Sequence, residues 1–223
     1  ATKARELGKK SVVTGDTVHL AGDVSGEPGS LARIVKVAGR TTLLRRSADD
    51  TDEVERVIVA NADQMLIVVA AADPEPRTRL IDRYLVEAFD AGLDPILCIT
   101  KTDLADPTAF LGHFACLDLR IVTSRSDDVP FDALHEVLDD KVTVTVGHSG
   151  VGKSTLVNAL TGSSRATGVV NSVTGRGRHT SSSSIALQVR DGGWIIDTPG
   201  VRSFGLGHVD PANVFRAFAS HAV

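Results

Sequence analysis

Four residues near the middle of the chain have the identities and spacing of a phosphate site. Gly147, Gly152, Lys153 and Ser154 fit the pattern GxxxxGK[ST] inside "VTVGHSGVGKSTLVNAL", residues 144–160. Such glycines let the backbone curl so that successive N–H groups face a phosphate, and the start of the following helix adds the positive end of its dipole. The lysine ammonium reaches the β- and γ-phosphates and the serine hydroxyl ligates Mg²⁺. His148, Ser149, Gly150 and Val151 complete the predicted loop, with Thr155 just inside the helix. An ordinary Gly-rich strand-to-helix turn gives no reason for a lysine and a serine to stand there together.

A second stretch, "WIIDTPG" (194–200), supplies a carboxylate at the end of a buried strand. Asp197 can hold a Mg²⁺-bound water there, and the Gly200 N–H can sense a γ-phosphate. Between the two stretches lies "NSVTGRGRHTSSSS" (171–184), which carries Arg176, Arg178 and His179 and is too polar to build core. It is either a plain loop or a switch that orders when a γ-phosphate and Mg²⁺ offer it contacts. In the second case Thr180 is the candidate hydroxyl for closing over Mg²⁺, and His179 the candidate for orienting the attacking water, its alternative being a hydrogen-bonded loop histidine.

Base recognition is read from "ITKTD" (99–103) and "VTS" (122–124), each at the end of an apolar run. A carboxylate at Asp103 can accept two hydrogen bonds from the ring N–H and exocyclic amine of guanine, a donor pair that adenine lacks. The stem of Lys101 can lie over the purine face, and backbone N–H groups around Ser124 can meet the guanine carbonyl oxygen. Taken alone, "TKTD" also reads as an exposed loop with Asp103 capping a helix, and the phosphate loop alone also reads as an ATP-dependent kinase or ATPase.

Positioning these loops takes strands and helices in alternation. "VIVANADQMLIVVAA" reads as one or two buried strands, "RLIDRYLVEAFDAG" as an amphipathic helix ending at Gly92, and "DPILCIT" as a buried strand. Strand, helix, strand, helix and strand follow in "LRIVTS", "FDALHEVLDD", "VTVTVG", "KSTLVNALTG" and "GGWIIDTPG". Nearly all-apolar strands separated by helices predict a parallel sheet covered on both faces. Ahead of them, "SVVTGDTVHLAG", "SLARIVKVAG" and "TTLLRR" are short β-type pieces between Gly-rich turns, predicting a small β-barrel or a fragment of one. The charged stretch "RRSADDTDEVER" reads as the boundary. The predicted organisation is therefore a β-domain over residues 1–46, a linker over 47–53, an α/β domain over 54–205 and the start of a C-terminal extension over 206–223.

Composition narrows the class. The 223 residues carry a net charge of −4 with 42% hydrophobic residues, ordinary for a buried core. Residues 1–46 hold nine Lys and Arg against four Asp and Glu, so the basic charge is at the front. Cys98 and Cys116 lack metal-ligand or disulfide spacing, which fits a reduced compartment. No apolar run approaches the length of a membrane span and no signal-peptide core opens the chain. These features predict a soluble cytoplasmic protein without a membrane partner.

Joined together, the motifs resemble those of GTPases, but in a rotated order: TKTD, VTS, phosphate loop, GRHT, DTPG. Loops at the carboxyl ends of parallel strands stay together whichever strand comes first, so the order predicts a circularly permuted P-loop GTPase domain. With "VVTGDTV" and "RR" in the first region, "GRGRHTS", "DTPGVRSFGL" and "HVDPANVFRAF", the chain is similar to the ribosome small-subunit biogenesis GTPases, the RsgA or YjeQ family. The resemblance implies an α/β GTPase domain preceded by an OB-like β-barrel, GTP/GDP and Mg²⁺ as ligands, and a monomer that binds 16S rRNA in the 30S ribosomal subunit. It implies GTP hydrolysis stimulated by that subunit late in its maturation. The competing reading is an RNA-docking module switched by nucleotide, with hydrolysis incidental. Arg33, Lys36, Arg40, Arg45 and Arg46 are candidates for rRNA phosphate contacts. Full-length members carry a Zn²⁺ module, for which this chain has no ligands. Two positions depart from the GTPase pattern. Thr100 stands where Asn is usual, keeping a hydroxyl but losing an amide, and Val201 stands where many GTPases place a water-orienting Gln, which predicts slow hydrolysis by the chain alone.

Overall fold

The structure, a computed structural model, describes residues 2–4, 7, 12–46, 56–163, 184–190, 192–198, 206 and 209–221. Its centre is a six-stranded sheet built from β6 (Gln64–Ala70), β7 (Asp94–Thr100), β8 (Arg120–Thr123), β9 (Val142–Val146), β10 (Ile185–Gln188) and β11 (Trp194–Asp197). The strand order is β10-β11-β9-β6-β7-β8. All neighbours run parallel except β10, which pairs antiparallel with β11.

The apolar runs became strands because each side chain finds a core whichever way it points. Every residue of β6 is buried. Met65, Ile67 and Val69 join one cluster with Leu97, Ile99, Val144 and Val146. Leu66, Val68 and Ala70 join the other with Ile96, Cys98 and Ile195. Helix α1 (Thr78–Ala91) covers the first face through Ile81, Tyr84, Leu85, Ala88 and Phe89, spaced i, i+3, i+4, i+7 and i+8. It stops at Gly92, whose left-handed φ of 70° lets its N–H turn back to the carbonyls of Ala88 and Phe89. A four-residue helix α2 (Thr108–Leu111) and a 3₁₀ turn follow β7. The second face is covered by α3 (Phe131–Leu138), through Leu134, Val137 and Leu138, and by α4 (Lys153–Thr161), through Leu156, Val157 and Leu160. Helix α5 (Pro211–His221) lies on α1, where Phe218 meets Phe89 edge to face at 4.8 Å. Asp90 accepts from the Asp210 N–H at 3.2 Å and the Asn213 amide at 3.3 Å.

Before the six-stranded sheet come a three-stranded sheet, ordered β1 (Thr2–Lys3), β3 (Ala32–Val37), β2 (Val18–Gly22), and a two-stranded sheet of β4 (Leu43–Arg46) and β5 (Arg56–Ala60). The run read as one or two strands is thus two, and its first half, β5, pairs with β4 rather than with the parallel sheet. Leu44 and Val59 of this hairpin are buried in the cluster under α1. Strand β10 was not anticipated: "IALQ" follows a Ser/Thr-rich stretch and is mostly exposed, so it lacks the apolar run that marks the other strands.

Candidate functional site

The phosphate loop leaves the carboxyl end of β9 where its neighbour β6 leaves almost no space. A Cβ on Gly147 would come within 2.5 Å of the Val68 carbonyl oxygen, so only glycine passes. Gly150 and Gly152 lie at φ of 85° and 89°, and Gly152 starts α4. Val151 between them is buried in the core under α3 and α4 and anchors the curl. His148 is half-buried with its Nδ1 2.9 Å from the Ser149 carbonyl oxygen, Ser149 and Gly150 are exposed, Ser154 is half-buried and Thr155 exposed. The expected strand, glycine turn and helix start are therefore all present.

Asp197 ends β11, the strand next to β9, and its carboxylate pairs with the Lys153 ammonium. Both side chains are largely withdrawn from water, at 14% and 10% exposure. The strand end is set by the next residue: the buried Thr198 hydroxyl donates to the Thr145 carbonyl oxygen at 2.7 Å. Asp197 holds the Lys153 ammonium, and Ser154 follows Lys153 on the first turn of α4; a carboxylate and a hydroxyl are the oxygen donors that a hard cation such as Mg²⁺ takes. Among the described residues no group of three or more His, Cys, Asp and Glu side chains gathers as a metal site of another kind.

The base-recognition candidates leave β7 and β8, two and three strands from β9 in the sheet. Thr100, buried at the end of β7, places its hydroxyl 2.6 Å from the Val151 carbonyl oxygen and 3.2 Å from that of Val69. It thus fastens the phosphate loop to the loop after β7, a contact that "TKTD" gave no sign of because the acceptors are backbone carbonyls. Lys101 adopts a left-handed φ of 58° and donates its ammonium to the Asp73 carbonyl oxygen. The Asp103 carboxylate accepts the Ser126 N–H at 2.7 Å, and this contact holds its carboxyl below the usual carboxylate range, so it is ionised at neutral pH. Thr102 reaches the Ser124 carbonyl oxygen through both its N–H and its hydroxyl at 3.2 Å, and the Ser124 N–H donates to the Ile99 carbonyl at 2.8 Å. The two loops are one unit. Asp103 is not a helix cap: α2 begins at Thr108, whose N–H is met by Asp106. Ser126 acts on Asp103 first through its backbone N–H, a contact that its residue type does not announce in the sequence.

His179, Thr180 and Gly200 lie outside the described residues, as do Arg176, Arg178 and Val201. Of the arginines read as rRNA contacts, Arg40 is taken up internally: its guanidinium grips both oxygens of Asp16, at 2.7 and 2.8 Å. The forked donor that would suit a phosphate is engaged by a carboxylate.

The RsgA GTPase family model matches residues 37–207. Among curated proteins, the chain is similar to the small ribosomal subunit biogenesis GTPase RsgA of Pseudomonas aeruginosa, 38% identical over 93% of this chain and 62% of that one. It is also similar to the protein of the same name from Chlorobaculum tepidum, 36% identical over 96% of this chain and 71% of that one. The chain thus spans about three-fifths of the length of the Pseudomonas relatives. Among solved structures it resembles YjeQ from Thermotoga maritima, with a TM-score of 0.62 and 28% identity over 88% of this chain and 64% of that one. It resembles equally YloQ, a circularly permuted GTPase, with a TM-score of 0.65 and 25% identity over 96% of this chain and 66% of that one.

Proposed function

The chain belongs to the RsgA GTPase family, and from that premise we propose that it hydrolyses GTP to GDP and phosphate during maturation of the small ribosomal subunit. The observation that carries this reading is the contact between Thr100 and Val151. It ties a loop suited to guanine to a loop suited to phosphates, although the two stand 51 positions apart in the reverse of the usual order.

On this reading the N–H groups of residues 147–153 and the Lys153 ammonium hold the β- and γ-phosphates, and the dipole of α4 adds to their field. Ser154 and Asp197 would hold Mg²⁺, which would supply positive charge beside the phosphates; water attacks the γ-phosphorus, the bond to the β-bridging oxygen breaks, and Lys153 and the loop N–H groups stabilise the charge that builds there. Lys153 exchanges Asp197 for the phosphates when nucleotide enters. Asp103 accepts from the guanine N–H groups and the Lys101 stem lies against the base; the Ser124 N–H, read from the sequence as a donor to the guanine oxygen, is taken by the Ile99 carbonyl, so the loop after β8 serves the base by fixing Asp103 through the Ser126 N–H. Thr100 acts on the nucleotide through the phosphate loop. Gly200 senses the γ-phosphate, Thr180 is the hydroxyl that would close over Mg²⁺ and His179 orients the water, roles read from their places in the sequence, since all three lie outside the described residues. The N-terminal strands are an OB-like surface for 16S rRNA, and the protein works as a monomer in the cytoplasm. No described helix is long and apolar enough to cross a membrane.

The test is GTP turnover with and without purified 30S subunits. Turnover that is slow alone, rises with subunits and falls by roughly a hundredfold or more in Lys153→Ala supports the enzyme. GTP-dependent subunit binding with no stimulated turnover supports the RNA-docking module instead.

A further inference from the structure

The N-terminal region meets the edge of the large sheet through a turn that is held from several sides. Gly15 lies at φ +91°, and a Cβ there would come 1.9 Å from the Ala60 carbonyl oxygen, so this turn requires glycine. Asp16 closes it: one oxygen accepts the Val13 N–H at 2.9 Å while Arg40 grips both. The Ala60 N–H donates to the Thr14 carbonyl at 3.0 Å, and the Asn61 amide to the Gly15 carbonyl at 2.9 Å. What this turn presents outward is the Thr14 hydroxyl, which donates to the Ser184 carbonyl oxygen at 2.7 Å, 170 positions away in sequence.

Ser184 stands directly before β10 and directly after the stretch that carries His179 and Thr180. Strand β10 is a weakly held element: four residues long, three of them exposed, at the end of its sheet with β11 as its neighbour. A short edge strand of this kind gains little from burial, so a tether at its first residue has leverage over its position. Its register carries that position inward. Ile185 sits opposite Asp197, and Asp197 holds Lys153.

Resting on the function proposed above, we propose that Thr14 is a positioning residue that couples the N-terminal surface to the nucleotide. Its hydroxyl fixes Ser184, the residue directly before β10, relative to the turn built on Asp16 and Arg40. RNA docking on the N-terminal strands and a γ-phosphate in the site then favour the same placement of β10. Coupling of this kind is reciprocal: nucleotide that strengthens RNA binding is itself bound more tightly when RNA is present.

The experiment compares the affinity of the full chain for small ribosomal subunits with GDP and with a non-hydrolysable GTP analogue, in the native protein, Thr14→Val and Thr14→Ser. Valine keeps the shape and removes the hydroxyl; serine keeps the hydroxyl. Thr14→Val is expected to lower the preference for the GTP form about fivefold, the worth of one hydrogen bond, with nucleotide affinity in the absence of subunits unchanged. Thr14→Ser is expected to keep the native preference. A Thr14→Val protein with the native preference overturns the proposal, and so does a Thr14→Ser protein that loses it, since packing and not the hydroxyl would then be responsible. A native protein that binds subunits equally in both nucleotide states also overturns it, leaving the turnover assay to judge the enzyme separately. Native preference for the GTP form without any hydrolysis counts against the enzyme and not against the coupling.

Discussion

Strands β6 and β2 use the same extended backbone in opposite circumstances. All seven residues of β6 are buried, alternating between two apolar clusters, whereas β2 has one half-buried residue followed by four exposed ones. The first strand is held by what its side chains displace from water; the second depends on hydrogen bonds, on turns and on the Asp16–Arg40 pair nearby. The phosphate loop and the loop that carries Asp103 spring from the ends of β9 and β7, strands of the first kind, where packing fixes backbone carbonyls so closely that only glycine at position 147 passes Val68, whereas β8, which leads to Ser124, is mostly exposed. The N-terminal sheet keeps exposed side chains such as Leu20, Leu31 and Val35 at its surface, which suits contact with a partner more than the positioning of reacting atoms.

Truncation separates the two kinds of region most sharply. Leu66→Ala, which empties a fully buried site between β6 and the α3–α4 layer, is expected to cost about 3 kcal/mol of unfolding free energy in a denaturant titration. Leu31→Ala, at 76% exposure, is expected to change it by no more than about 0.5 kcal/mol. Similar losses at both positions would mean that the N-terminal sheet has a core of its own.

A smaller effect tests what holds the N-terminal region instead. Burial alone would raise the Asp16 pKa, but the Arg40 guanidinium and the Val13 N–H outweigh it and hold the carboxyl below its ordinary value. A depressed folded-state pKa means that the stabilisation is complete above the unfolded carboxylate range near about 4 and is lost as pH falls through the lower folded value. Asp16→Asn is expected to cost about 1 to 2 kcal/mol at neutral pH and to show a shallower loss of stability on acidification than the native chain. Parallel acid curves would remove the ion pair from the account.

The parallel sheet was legible because its signal is redundant. An apolar run, a following helix period and a glycine stop at Gly92 agree over β6 and α1, and no single side chain decides the outcome. The glycine turn between β9 and α4 was legible for the opposite reason, since Gly147, Gly152, Lys153 and Ser154 are rare together and their pattern calls for a strand before it and a helix after it. Less could be read where backbone atoms do the binding. The carbonyls of Val151 and Asp73 and the N–H of Ser126 organise Thr100, Lys101 and Asp103, and any residue type could supply them. Strand β10 escaped notice because an edge strand needs no apolar run. Arg40 was misread as a surface cation because its partner stands 24 residues earlier, in a turn whose closure is visible only once folded.

If Asp103 and the phosphate loop serve one guanine nucleotide, as proposed, exchanging a single atom type on Asp103 reveals it. Asn in place of Asp103 keeps one acceptor for the ring N–H but turns the other oxygen into a donor, which repels the guanine amine and fits the carbonyl that xanthine carries at that position. Competition binding with Asp103→Asn is therefore predicted to show GTP weakened about a hundredfold and XTP strengthened. Unchanged GTP affinity with no gain for XTP would contradict the account, because the base would then be read elsewhere and the rotated loops would share no ligand.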